Sequence, residues 1–196
     1  MFRLTPVVRN LITINVIVFV AQWLIPPLTN YLALWGVSTP NFLPYQLFTY
    51  MFAHLDFWHI FMNMLMLAFS GPILEEYWGQ KKFLMFYMAA GLGAAAFHVL
   101  MVLLLGKGAF SSLIGASGAV YGVMAAFGII FANMELRLMF LPISFKAKYL
   151  VLVLGSLAII NGFGSDPGDN VAHLTHLGGI VVAIIFIQYW RSRGRF

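Results

Sequence analysis

The most informative segment of this sequence reads Gly115-Ala116-Ser117-Gly118-Ala119-Val120-Tyr121-Gly122 and opens an apolar run that continues to about Ala132. One interpretation is helix packing, because Gly118 and Gly122 are four residues apart and would let another helix approach closely. The other is a nucleophile. The glycines leave the Ser117 hydroxyl accessible, and backbone N–H groups at a helix N-terminus can stabilise an oxyanion. The segment alone favours packing, so the choice depends on the rest of the chain.

The composition indicates an integral membrane protein. Of 196 residues, 62% are hydrophobic and 9% are charged, and the mean hydropathy is +0.91. A soluble domain carries about 25% charged residues. The chain has no cysteine, which excludes a disulfide framework and thiolate chemistry. Its net charge of +5 is typical of basic loops on one side of a membrane and does not require nucleic-acid binding.

Apolar stretches predict six membrane-spanning helices, each needing about 20 mainly apolar residues. The predicted spans are 11–28, 57–74, 83–105, 116–132, 149–163 and 171–190. The mixed, aromatic-rich segment 29–55 is expected at the membrane interface. No small-residue cleavage site follows the first span, so it is expected to be a retained helix and not a signal peptide. The sequence therefore predicts an all-α membrane protein with a single domain over residues 1–196.

The basic residues give an independent test of this topology. With the N-terminus inside, ten of the eleven Lys and Arg residues fall in predicted cytoplasmic segments, and only Lys107 lies outside. The ten are Arg3, Arg9, Lys81, Lys82, Arg137, Lys146, Lys148, Arg191, Arg193 and Arg195. Because cytoplasmic loops carry an excess of Lys and Arg, both termini are predicted to be cytoplasmic.

Polar residues inside the spans are few and fall in one layer. His59 and Asn63 are four apart in the second span and share a helix face, and His173 and His176 lie near the start of the sixth. The second, fourth and sixth spans begin on the same side, so His59, Ser117 and His176 are expected at similar depth. A lone buried histidine is usually a hydrogen-bonded structural residue. Three spans that bring these groups to one layer favour a catalytic site instead.

The residue types in that layer suit nucleophilic catalysis. A serine hydroxyl needs a base to become a nucleophile, and histidine has a suitable pKa. An amide, an imidazole N–H and a backbone N–H can stabilise a tetrahedral intermediate. Asp166 and Asp169 lie in a loop and Asp56 precedes another span, so no acid is obviously placed to orient the base. The residues therefore favour a Ser–His dyad.

Two histidines could act as the base of this dyad. His173 and His176 are three residues apart and can face the same side of the sixth helix, so spacing alone does not rank them. The glycines at 178 and 179 would let this span press against Gly118 and Gly122 of the fourth span. His176 is closer to that contact, which favours it as the base.

Taken together and in this order, the motifs resemble the rhomboid family of intramembrane serine proteases. The resemblance covers about residues 45–189 and rests on His59-x-x-x-Asn63, Gly115-Ala116-Ser117-Gly118 with Tyr121, and His176-Leu177-Gly178-Gly179. It implies a six-helix bundle in a lipid bilayer that cleaves transmembrane segments of membrane proteins near the outer face, without metal, cofactor or nucleic acid. The expected location is a bacterial inner (plasma) membrane.

The same resemblance implies residue roles. Ser117 would be the nucleophile and His176 the general base, while His59, Asn63 and the Ser117 backbone N–H would form the oxyanion hole. Tyr121 would pack against the His176 ring, and the supporting glycines would be Gly115, Gly118, Gly178 and Gly179.

Some other positions match the family pattern, and others depart from it. Gly71, Glu75 and Gly79 match it, and Glu75 is expected to bond backbone or loop groups on the cytoplasmic side. Many relatives carry a Trp-Arg pair before the second span, where this chain has Tyr45-Gln46.

Two other functions remain open at this point. One is a non-catalytic member of the same fold that binds membrane proteins. The other is a transporter or metal-handling protein, since imidazoles suit transition metals. Its candidate ligands are His54, Asp56, His59, His173 and His176.

Overall fold

The structure is a computed structural model that describes residues 3–105, 112–137, 144–162 and 167–194, without the side chains at 105, 137, 158 and 161–174. Its described helices are α1 (Pro6–Leu24), α2 (Leu28–Leu32), α3 (Gln46–Thr49), α4 (Phe57–Trp78), α5 (Gln80–Leu105), α6 (Ser117–Ile130), α7 (Lys148–Gly162) and α8 (Pro167–Ser192). A short 3₁₀ turn covers Tyr50–Phe52, and strands β1 (Glu135–Arg137) and β2 (Ser144–Lys146) form an antiparallel ribbon.

Each predicted span overlaps one long helix: α1, α4, α5, α6, α7 or α8. The first span was predicted at 11–28, whereas α1 is Pro6–Leu24. Within the described ranges, α1, α4 and α5 are long and apolar enough to cross a membrane. Helix α6 has 14 residues and rises about 21 Å, which is less than the roughly 30 Å of a hydrocarbon core. A mostly helical membrane fold is therefore confirmed, whereas six crossings, a single domain and cytoplasmic termini stay predictions.

The ribbon between α6 and α7 was not predicted. Glu135 pairs with Lys146, and Arg137 pairs with Ser144. Strands of three residues are too short to produce a recognisable alternation of polar and apolar positions. Segment 29–55, which was expected at the membrane interface, also contains more helix than its composition indicates, in α2, α3 and the 3₁₀ turn.

Helix α6 is the centre of the bundle because small residues let its neighbours approach. Residues 122–128 of α6 are all buried. A Cβ placed on Gly122 would lie 2.8 Å from Ala90 Cβ of α5 and 3.0 Å from Gly179 O of α8. A Cβ on Gly179 would overlap Gly118 O. Only glycine fits at these two positions, so α8 lies against the backbone of α6.

Gly178 packs differently from Gly179. A Cβ there would lie 2.7 Å from Phe97 Cβ and 2.9 Å from Ala94 Cα, both on α5. Adjacent helix residues point about 100° apart, so the pair places α8 against α5 and α6 at once. The expectation that both glycines press on α6 is therefore met only by Gly179.

One end of the bundle collects buried polar and basic groups. Glu75, near the end of α4, accepts hydrogen bonds from Thr5 Oγ1, Val7 N and Val8 N at the start of α1. This agrees with the structural role expected of Glu75. The Trp78 and Trp190 rings are 5.0 Å apart, which brings the ends of α4 and α8 to the same place.

Basic residues gather at this end as well. Lys82 lies 5.9 Å from the Trp190 ring, and Arg193 follows α8. The Tyr77 and Phe131 rings are 5.4 Å apart, so α6 also ends here. Ser117, at the opposite end of α6, is therefore remote from this basic end of the bundle.

Gln46 organises segment 29–55 through its side-chain amide. Its Oε1 accepts hydrogen bonds from Trp35 N at 3.3 Å and Leu43 N at 3.1 Å. Its Nε2 donates to Asn41 O at 3.1 Å and Tyr31 O at 3.4 Å. The side chain is 1% exposed. A buried, neutral amide thus bonds four backbone groups of this segment.

Candidate active site

Ser117 lies at the start of α6, after a turn that requires glycine. Gly115 has a φ of +116°, a conformation that other residues rarely adopt. A Cβ on Gly115 would also lie 2.6 Å from His59 Nε2. The turn is anchored by a hydrogen bond from Gly115 N to Tyr50 O at 2.9 Å. This backbone path presents the Ser117 hydroxyl toward α8.

The structure brings Ser117 and His176 into hydrogen-bond contact, with His176 Nε2 2.8 Å from Ser117 Oγ. This distance agrees with the expectation from the glycine positions. The Tyr121 ring stacks on the His176 ring at 4.3 Å and 15°, so it limits rotation of the imidazole. The geometry is that of a nucleophile with its base, whereas the catalytic roles stay predictions.

His59 and Asn63 lie on the face of α4 that looks toward Ser117. The His59 ring covers Gly115, and Asn63 Nδ2 donates to His59 O at 2.8 Å. An amide nitrogen carries two hydrogens, so Asn63 keeps one donor beyond this bond. Both residues line the same cavity as Ser117 and His176. The structure therefore brings together all four polar side chains expected at the site.

The cavity has a volume of about 420 Å³ and lies among α4, α6, α7 and α8. The rest of its wall is mainly apolar: Trp58, Met62 and Met66 of α4, Val120, Tyr121 and Met124 of α6, and Leu150 and Leu154 of α7. Four polar side chains thus share a cavity whose other lining residues are mainly apolar.

Asp56 and His54 have structural positions beside the site. Asp56 Oδ1 accepts from His59 N at 2.8 Å and so caps α4. His54 Nε2 accepts from Ala116 N at 3.5 Å, and its ring meets the His59 ring edge-on at 5.0 Å. Burial, and then the nearby His59, lower the pKa of His54 to about 3, so its ring is neutral at physiological pH. Its backbone is held by Gln22, which accepts from His54 N at 3.0 Å.

Several sequence candidates fall outside the described side chains. These are His173, Asp166 and Asp169, which include the alternative base and both loop acids. Among the side chains that are described, no three His, Cys, Asp or Glu residues are grouped as a metal site would need.

Sequence reasoning missed one polar pair near the site. His98 Nδ1 of α5 lies 3.1 Å from Thr175 Oγ1 of α8, and both residues are 1% exposed. A histidine in the middle of an apolar span is itself a signal of function. His98 carries that signal in the third predicted span.

Comparison with known protein families assigns the chain to one of them. Residues 41–193 match the family model described as the rhomboid domain. The chain belongs to the rhomboid family. This confirms the resemblance drawn from the three motifs, because the match includes all of them.

Named relatives of this rhomboid are similar over most of its length. It is 27% identical over 184 residues to rhomboid protein 1, mitochondrial, of Saccharomyces cerevisiae, covering 93% of this chain and 52% of the yeast protein. It is 28% identical over 198 residues to the presenilin-associated rhomboid-like protein, mitochondrial, of Bos taurus, covering 95% and 50%. It is 29% identical over 176 residues to RHOMBOID-like protein 12, mitochondrial, of Arabidopsis thaliana, covering 82% and 51%. The rhomboid spans about half the length of the curated relatives it matches.

These relatives correct the expected location. All three are named as mitochondrial proteins, so the expectation of a bacterial plasma membrane is wrong. The cause of the error is physical. Loop charges report which side of a bilayer a segment faces, but they do not report which membrane the protein occupies.

Proposed function

We propose that this rhomboid is an intramembrane serine endopeptidase that cleaves transmembrane segments of membrane proteins. The observation that carries the proposal is the 2.8 Å contact between Ser117 Oγ and His176 Nε2, at the wall of a cavity of about 420 Å³. Membership in the rhomboid family supports the same activity. The retained dyad argues against a non-catalytic rhomboid that only binds membrane proteins.

In the proposed reaction, Ser117 Oγ attacks the carbonyl carbon of the scissile peptide bond while His176 Nε2 accepts the hydroxyl proton. A carbon–oxygen bond forms, and the carbonyl electrons move to the oxygen. The intermediate then collapses with cleavage of the carbon–nitrogen bond, and His176 returns the proton to the leaving amine. Water hydrolyses the acyl-enzyme by the same steps, with His176 again as base. Tyr121 keeps the imidazole oriented throughout.

Three donors would stabilise the oxyanion that forms in each step. They are the His59 imidazole, the second amide hydrogen of Asn63 and the Ser117 backbone N–H. Because the first two come from α4 and the third from α6, the oxygen would lie between the two helices. Donors in an apolar cavity stabilise a developing charge more strongly than they would in water.

The proposed substrate is a transmembrane helix that unwinds easily near the site. A continuous helix uses its backbone carbonyls in hydrogen bonds and hides them from attack. Gly, Ser or Pro near the cut lowers the free energy needed to extend the chain. Ser117 lies away from the basic end of the bundle, so we propose cleavage near the opposite, outer face. We also propose that the membrane is mitochondrial, as it is for the named relatives.

Loss of one oxyanion donor should leave weak activity. Asn63→Ala is expected to lower kcat by about 10²–10³-fold, because one donor is removed while nucleophile and base remain. His59→Ala should lower kcat by a similar factor. The measurement is turnover of one substrate by the purified variants, with Leu65→Ala on the exposed side of α4 as the control. Unchanged kcat in both variants would exclude this helix face from the reaction.

The whole proposal is tested by cleavage of a tagged transmembrane substrate by the reconstituted full chain. The wild type should produce a defined cut, and Ser117→Ala should produce none while it keeps the same unfolding temperature. Only one small hydroxyl is lost at a helix start, so the fold should persist. A substrate with a glycine-interrupted helix should be cut faster than a poly-leucine helix. A wild type that binds the substrate but never cuts it would establish the binding-only alternative.

A further inference from the structure

A buried polar pair joins α5 to the turn of α8 that carries His176. His98 Nδ1 lies 3.1 Å from Thr175 Oγ1, and each residue is 1% exposed. Thr175 immediately precedes His176, whose ring contacts Ser117 of α6. Polar side chains between membrane helices hydrogen-bond across the interface and fix partners that apolar packing alone does not distinguish. The pair therefore lies at the turn of α8 that determines where the His176 ring is placed relative to Ser117.

The position of the His176 ring depends on the rotation of α8 about its axis as well as on the distance between α8 and its neighbours. Gly178 lies against Phe97 and Ala94 of α5, and Gly179 lies against the backbone of α6. A ring about 5–6 Å from a helix axis moves by roughly 2 Å when the helix rotates by about 20°. Such a movement would break the 2.8 Å contact between His176 and Ser117.

A directional bond at the same turn resists that rotation. Side chains of adjacent helix residues point about 100° apart, so Thr175 bonds α5 while His176 faces α6. Hydrogen bonds weaken steeply when their angle departs from linear. Rotation of α8 in either direction would therefore strain the bond between His98 and Thr175 as it displaced the His176 ring.

We propose that His98 and Thr175 are positioning residues that lock the rotation of α8 and thereby hold His176 Nε2 against Ser117 Oγ. This inference rests on the proposed protease function, because its effect is measured on catalysis. Neither residue touches the reacting atoms. Tyr121 orients the imidazole ring itself, whereas the His98–Thr175 pair orients the helix turn from which that ring projects.

The test compares variants that remove the bond with variants that keep it. Thr175→Val removes the hydroxyl without changing the side-chain shape, and Thr175→Ser keeps the hydroxyl. His98→Leu removes the ring, and His98→Asn keeps a polar atom near the Nδ1 position. Thr13→Val, on the exposed side of α1, is the matched control. Each full-length protein is reconstituted, and kcat, KM, the unfolding temperature and the rate of Ser117 labelling by a fluorophosphonate are measured.

Thr175→Val and His98→Leu should each lower kcat by about tenfold or more with little change in KM, since small misplacements of a catalytic group cost rate. The labelling rate should fall in parallel. Thr175→Ser and His98→Asn should recover most of kcat, and the double variant should be no worse than either single variant. These values are measured well below every unfolding temperature.

Two results would overturn the inference. In the first, kcat stays at the wild-type value in Thr175→Val and His98→Leu although their unfolding temperatures fall, which is the behaviour of a merely structural pair. In the second, the two losses multiply in the double variant, which means that the residues act separately. Failure of the proposed function is a different result, because then the wild type itself would not cleave or would cleave independently of Ser117.

Discussion

Replacement of His176 by alanine should lower kcat on the order of 10⁴-fold or more, which is below detection in most assays. The variant loses the only group seen within hydrogen-bond distance of Ser117 Oγ among the described side chains, at 2.8 Å. Without a base the hydroxyl keeps its proton, and the leaving amine receives none. The measurement is turnover of a purified, reconstituted variant whose unfolding temperature is compared with that of the wild type.

His173→Ala is the matched control for this experiment. His173 precedes His176 by three residues and so lies about 4.5 Å closer to the start of α8. It should be dispensable, and its variant should keep much of the wild-type kcat. Full activity in His176→Ala combined with loss in His173→Ala would place the base one turn closer to the start of α8 and contradict the observed pairing.

Replacement of Gly179 by alanine should damage both stability and activity. Its Cβ would overlap Gly118 O and lie 3.2 Å from Gly122 N. These are backbone atoms that cannot rotate away, so α8 must move from α6. Overpacking of this kind costs about 1–3 kcal/mol. A shift of about 1 Å between catalytic groups can reduce the rate by about 10²-fold, and we expect a loss of that size in kcat.

The chain offers a control with the same chemical change. A Cβ on Gly155 of α7 would meet no atom within 4 Å, so Gly155→Ala should keep the wild-type unfolding temperature and kcat. The two variants are compared in the same detergent by thermal unfolding and by turnover. If Gly179→Ala behaved like Gly155→Ala, close contact between α6 and α8 would not be what holds the dyad together.

The long helices and the dyad could be predicted because their signals are local. Apolar runs indicate each helix directly, and Ser117 and His176 each lie in a short, recognisable motif. The meeting of α6 with α8 also followed from local signals, since glycines mark where backbones can approach. Topology then placed both motifs at the same end of the bundle.

Other features depend on contacts that no local pattern shows. His98 and Thr175 belong to different helices, and only the packing of α5 on α8 brings them to 3.1 Å. The different directions in which Gly178 and Gly179 face depend on the rotation of α8 about its axis. Segment 29–55 is held by Gln46 through backbone groups of Trp35, Leu43, Asn41 and Tyr31, and such groups carry no sequence signal.

The most direct test of Ser117 as the nucleophile is covalent labelling of the full-length protein in a membrane or detergent. A fluorophosphonate reacts with a serine oxygen that has been activated by a base. Mass spectrometry of the labelled wild type should find the adduct on Ser117 alone, and Ser117→Ala should not react. An adduct on any other serine, or equal labelling of Ser117→Ala, would contradict the account.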